Sequence, residues 1–170
     1  WHPKYRDQYR GKFDTPSNKN LESELHVIYD LFTSATNIIT IGIGGSFEGP
    51  KMLLENINLK QDDTNIIFMT GSDSSEFKTK THRLYPKDTI FLVASKSFTT
   101  VETISMLEEA ISWSGEMNRF IAITANRKEA QKYNIKNILE FDQEIGGRYS
   151  IWSEISILMH WLNKDGFNNF

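Results

Sequence analysis

A chain of 170 residues fits a single domain, and a domain of that size buries roughly 70% of the surface its unfolded form exposes. With 39% hydrophobic and 24% charged residues the composition is that of an ordinary globular protein, which excludes a disordered tail, a collagen-like fibre and a disulfide-dense miniprotein. Nineteen Lys and Arg against 22 Asp and Glu leave a net charge of -3 and no basic field to hold a nucleic acid, and the lack of cysteine removes disulfides, thiolate catalysis and Cys-ligated zinc.

In chain order, residues 1–18 are rich in Lys, Arg, Tyr and Pro, show no period, and read as an N-terminal arm expected to pack on its own domain or a neighbouring segment. From residue 19 to Phe170 strands and helices alternate. Leu21, Leu25, Ile28 and Phe32 share one helical face, and the β-branched run from Asn37 to Ile43 follows as a first strand. Further strands are expected at Asn65–Met69, Thr89–Val93 and Arg119–Ile123, with a weaker one at Asn137–Phe141. Between them, Lys78–Arg83 reads as a solvated helix face, and Val101, Ile104, Leu107 and Ile111 as the buried face of another helix. The last helix, with Ile151, Trp152, Ile155, Ile157, Leu158, Met159, Trp161 and Leu162, is apolar nearly all round. It is expected to leave an exposed apolar face in the isolated chain, unless the aromatic arm folds back over it. Repeated β-α units imply an α/β fold of three layers around a five-stranded parallel sheet. Four scattered histidines with no H-E-x-x-H suggest no metal site, and no apolar run reaches the roughly 18 residues of a membrane helix.

In such a sheet, ligands bind outside the carboxyl ends of the strands, so the loops after strands are where chemistry is sought. Gly42-Ile43-Gly44-Gly45-Ser46-Phe47-Glu48-Gly49-Pro50 is a glycine-rich turn opening a helix. It fails as a dinucleotide fingerprint, because Phe47 stands at the third glycine, and as a P-loop, because Pro50 replaces the lysine. A phosphate site and a tight structural turn both fit it. Ala94-Ser95-Lys96-Ser97-Phe98-Thr99-Thr100 places four hydroxyls and a cation at a helix start. A cap needs one hydroxyl, so a phosphate cradle is the better reading. Gly146-Gly147-Arg148-Tyr149-Ser150 presents an arginine beside another helix start, suited to an oxyanion or phosphate.

These three stretches, the second continuing to Glu102-Thr103, resemble in order and at similar spacing the signatures of the glucose-6-phosphate isomerase family, from about residue 19 to Phe170. The resemblance implies the first of two sugar-isomerase (SIS) domains of a much longer enzyme, with a flavodoxin-like strand order 2-1-3-4-5. It also implies that Ser95, Lys96, Ser97 and Thr100 hold the sugar phosphate, with Ser46 and the Gly45 backbone adding to the pocket. Arg148 matches the arginine that steadies the enediolate. Ser97 stands where many members have threonine, and Phe47 where many have aspartate; the Thr70–Ser75 loop aligns too loosely to be assigned. The family's base glutamate, ring-opening histidine and further lysine come from sequence beyond Phe170, the histidine from a homodimer partner. Glu102 and Glu154 are carboxylates that the family does not mark as the base. The implied ligand is a hexose 6-phosphate, with no cofactor and a cytoplasmic location. A non-catalytic SIS module that binds phosphosugars to regulate a partner is the alternative.

Overall fold

The computed structural model describes residues 19–56, 64–145 and 147–163, of which 19–23, 147 and 148 by backbone alone; the expected arm of residues 1–18 lies outside them. In chain order these residues form α1 (Lys19–Thr33), β1 (Asn37–Ile41), α2 (Gly45–Asn56), β2 (Asn65–Met69), α3 (Ser74–Thr81), β3 (Thr89–Ala94), α4 (Val101–Ser114), β4 (Phe120–Thr124), α5 (Arg127–Gln131), β5 (Asn137–Glu140) and α6 (Ile157–Leu162). Two 3₁₀ stretches, Gly147–Trp152 and Glu154–Ser156, lead into α6.

The five strands pair in parallel in the order β2-β1-β3-β4-β5, which is the expected order. Strands β3 and β4 are buried along their whole length, because helices cover both faces, while the edge strand β2 is buried fully only at Met69. The strand period of two divides the core into two halves. Ile38, Ile90, Leu92, Ile121, Ile123 and Leu139 face Ile28 and Phe32 of α1, Leu53 of α2 and the C-terminal stretch. Ile39, Ile41, Phe91, Val93, Phe120 and Ala122 face Phe77 of α3, Met106, Leu107 and Ala110 of α4 and Ala130 of α5. Phe91 and Phe120 stack there at 4.7 Å between ring centroids.

Three expectations are corrected. The face that α4 buries carries Thr103, Met106, Leu107 and Ala110, whereas Val101 is 76% exposed. Val101 points away from the sheet, so the buried stripe begins at Thr103 rather than where the spacing of Val101, Ile104, Leu107 and Ile111 puts it. The last helix is two 3₁₀ turns and a short α-helix rather than one continuous helix. Its apolar residues are not an exposed face: Ile151, Trp152, Ile155, Ile157, Leu158 and Met159 are all buried within the one chain. The broken path lets the segment wedge against α1 and α2, where Trp161 meets Phe32 at 5.3 Å and Ile151 approaches Gly49. A Cβ on Gly49 would lie 3.2 Å from Ile151 Cβ, so the glycine permits the close approach.

Candidate functional site

Strand β1 lies beside β3, and the chain leaves β1 into α2 on one face of the sheet and β3 into α4 on the other. Between those two exits lies the crevice at which doubly wound sheets take ligands. It contains a cavity of about 180 Å³ lined by Gly45 and Ser46 at the start of α2, by Ser95, Lys96 and Thr100 from the loop after β3, by Thr103 of α4, and by Ser150 and Ile155 from the C-terminal stretch.

Local sequence accounts for each wall. Gly42 has no room for a side chain, since a Cβ there would lie 2.9 Å from the Ala94 carbonyl oxygen and 3.1 Å from Ser46 Cβ; its absence lets the two loops meet. Gly44 takes φ +55, the left-handed turn that starts α2. In the second loop the backbone is held by β4: Ser95 N–H donates to the Ile123 carbonyl at 3.0 Å, and the Lys96 carbonyl accepts from Ala125 N–H at 3.0 Å and from the Thr124 hydroxyl at 3.1 Å. Phe98 then adopts φ 55, unfavourable for a residue with a Cβ, and its ring is 1% exposed and packs edge-on to Tyr133. Burying that ring offsets the strain of the turn. The third wall is tied to the first by the Ser150 hydroxyl, which donates to the Gly45 carbonyl at 3.3 Å.

The hydroxyls do not act as helix caps. Thr100 occupies the N-cap position of α4 but makes no side-chain cap bond; instead its Oγ1 lies 3.2 Å from Ser95 Oγ, which also accepts the Phe98 N–H at 3.2 Å. The first-turn amides of α4, which have no partner within a helix, and the positive end of its dipole therefore face the cavity with Lys96 at its exposed rim.

Five of the residues expected to bind ligand, Gly45, Ser46, Ser95, Lys96 and Thr100, line this one cavity. Ser97 does not: it is exposed, and its Oγ accepts from the Thr99 amide and, at 2.8 Å, from the Thr99 hydroxyl. Arg148 lies in the 3₁₀ stretch Gly147–Trp152, two residues before Ser150, and its side chain lies outside the described residues. Glu102 is exposed and Glu154 buried, and neither lines the cavity. Thr103, Phe141, Ile145 and Ile155 also line it, although the sequence reading gives none of them a binding role. Only Thr103 carried a signal, its position one helical turn after Thr100.

A parallel sheet in the order β2-β1-β3-β4-β5 with a crevice between β1 and β3 defines a doubly wound α/β domain. Solved structures share the fold: a glucose-6-phosphate isomerase from Chlamydia trachomatis, 20% identical, superposes with a TM-score of 0.75 over 96% of this chain and 35% of its own. Tagatose-6-phosphate ketose/aldose isomerase from Escherichia coli, 14% identical, does so with a TM-score of 0.59 over 96% of this chain and 46% of its own. A family model described as phosphoglucose isomerase matches residues 27–170, and the chain belongs to that family. A glucose-6-phosphate isomerase from Wigglesworthia glossinidia brevipalpis is 37% identical over 145 residues, 79% of this chain. The chain spans 26% of that relative's length.

Proposed function

We propose that this chain supplies the phosphate cradle and the oxyanion arginine of a glucose-6-phosphate isomerase, whose active site the rest of the polypeptide and a homodimer partner complete. The observation that carries this is the convergence of Ser46, Ser95, Lys96 and Thr100 on one cavity at the starts of α2 and α4. Two helix dipoles, uncapped amides, hydroxyls and an ammonium are the donor set that a phosphate dianion requires.

Held by its phosphate, an open-chain hexose 6-phosphate presents its carbonyl end away from the cradle. Interconversion of glucose 6-phosphate and fructose 6-phosphate then needs a base to take the proton beside the carbonyl. The electron pair left on carbon forms the double bond of the enediolate and the carbonyl oxygen becomes an oxyanion; that oxyanion then takes up the proton of the adjacent hydroxyl, whose oxygen becomes the new carbonyl as the base returns its proton to the former carbonyl carbon. Arg148 would stabilise that oxyanion. The base, worth roughly 10²–10⁴-fold, is assigned to sequence outside this chain, in keeping with Glu102 and Glu154 both standing off the cavity. A purely regulatory phosphosugar module has no use for an arginine at the reacting end, and the isomerase reading places the chain in the cytoplasm. Among the described residues no helix is long and apolar enough to cross a membrane.

The test is the double variant Ser95→Ala with Thr100→Ala, which should weaken hexose 6-phosphate binding by roughly 1–3 kcal/mol, the scale of hydrogen bonds to a charged group. Unchanged affinity by calorimetry would remove the cradle.

A further inference from the structure

We propose that Thr103 is a further ligand-binding hydroxyl of this cavity, donating to an oxygen of the bound phosphate from the first turn of α4. The proposal rests on the cradle reading above and adds to it a residue outside the loop motif.

Five threonines are buried among the described residues: Thr40, Thr81, Thr89, Thr103 and Thr124. Four of them donate to a backbone carbonyl, Thr40 to Ile67, Thr81 to Phe77, Thr89 to Tyr85 and Thr124 to Lys96. Thr103 is 1% exposed, and its Oγ1 has no hydrogen-bond partner among the described residues. Thr81 and Thr89 show the easy escape for such a hydroxyl, a bond to the carbonyl four residues back. Thr103 does not take it. Valine has nearly the same shape, would fill the same space and would bury no orphan polar atom, so stability alone favours valine here.

The position of Thr103 supplies the reason for a hydroxyl. Side chains lean toward the N-terminus of their helix, so a residue in the first turn of α4 covers the space in front of it. That space is the cavity, which Thr103 lines together with Thr100, three residues earlier on the same face. The Ser95 and Thr100 hydroxyls already share a hydrogen bond, and the Ser150 hydroxyl is committed to Gly45. Thr103 therefore brings an uncommitted O–H donor to the lining of the cavity, where a phosphate oxygen is the acceptor that completes it.

Inorganic phosphate and glucose 6-phosphate are titrated against the 170-residue chain and its variants by calorimetry. Thr103→Val should lower phosphate affinity by roughly 10-fold or more, as expected for a hydrogen bond to a charged group. It should leave the melting temperature unchanged or higher, and Thr103→Ser should bind nearly as the parent does. Parent-like binding by Thr103→Val, with affinity lost in the Ser95/Thr100 double variant, overturns the role of Thr103 and leaves the cradle standing. Parent-like binding by the double variant overturns both. Should Thr103→Val fail to fold, the Thr103 methyl resonance of the parent chain decides. A shift that saturates with phosphate supports the role, and an invariant resonance overturns it.

Discussion

Gly42 shows how much of the cleft depends on a missing side chain. The atom an added Cβ would strike first is backbone, the Ala94 carbonyl oxygen, and backbone at the end of a buried strand cannot swing aside. Gly42→Ala should cost about 1–3 kcal/mol, as overpacking does, and should also reduce phosphate affinity by parting the two loops. Thermal unfolding with a phosphate titration measures both, and an alanine variant matching the parent in each would show that the loops have slack. On the proposed function, Arg148 bears on rate rather than fold. In a complete isomerase containing this chain, Arg148→Ala should lower kcat by roughly 10²–10³-fold with a smaller change in KM. Lysine should restore only part of it, because a point charge lacks the planar fork. A loss confined to KM would make Arg148 a binding residue.

At the scale of elements, strands were the most legible part of the sequence. The β2 run was read residue for residue, and the others differ by one or two residues at an end, because a strand buried on both faces is a run of apolar residues. Helices were read less well, since spacing shows that a face exists but not which part of it the sheet reaches; Val101 of α4 is the clearest case. The stacked pair Phe91 and Phe120 joins β3 to β4 in the core half that also holds Phe98 of the second loop. Phe91→Ala should therefore destabilise the protein by about 3–5 kcal/mol and loosen the Ser95–Thr100 loop. Denaturant unfolding would read the first effect and amide exchange at Phe98 the second; unaltered exchange would separate loop order from the core.

Over the whole molecule, the C-terminal stretch returns to the first helix. The Tyr29 hydroxyl lies 2.6 Å from His160 Nδ1, joining residues 131 apart in sequence. Burial pushes the Tyr29 phenol up from its ordinary 10.0 to about 12, so it stays protonated beside the His160 ring. Because the folded value is raised, the contribution is complete below pH 10 and is lost as pH rises through about 12. Melting temperatures of the parent should fall more steeply across that window than those of Tyr29→Phe, and parallel slopes would place the alkaline loss elsewhere. With its apolar C-terminal residues buried in one chain, the protein should bind little hydrophobic dye through that segment. It should also show no isomerase turnover by itself, and measurable turnover would mean that the base is present here.

Composition, period and three loop motifs were enough for the α/β class, the positions of five strands, and the residues of two cavity walls. These are local properties: a buried parallel strand and an anion-receiving helix start each write themselves into a few consecutive residues. Strand order was legible through the family resemblance and through the need to set the two donor-rich loops side by side, and not from any one strand. Tertiary structure decided what depends on distant segments meeting. It turned the apolar C-terminal residues inward against α1 and α2, closed the third wall with Ser150, set Ser97 outside the cavity and brought Thr103 into it. Each of those outcomes depends on which surface a side chain meets after the layers pack, and for the C-terminal residues and Ser150 that surface is built from residues scores of positions away.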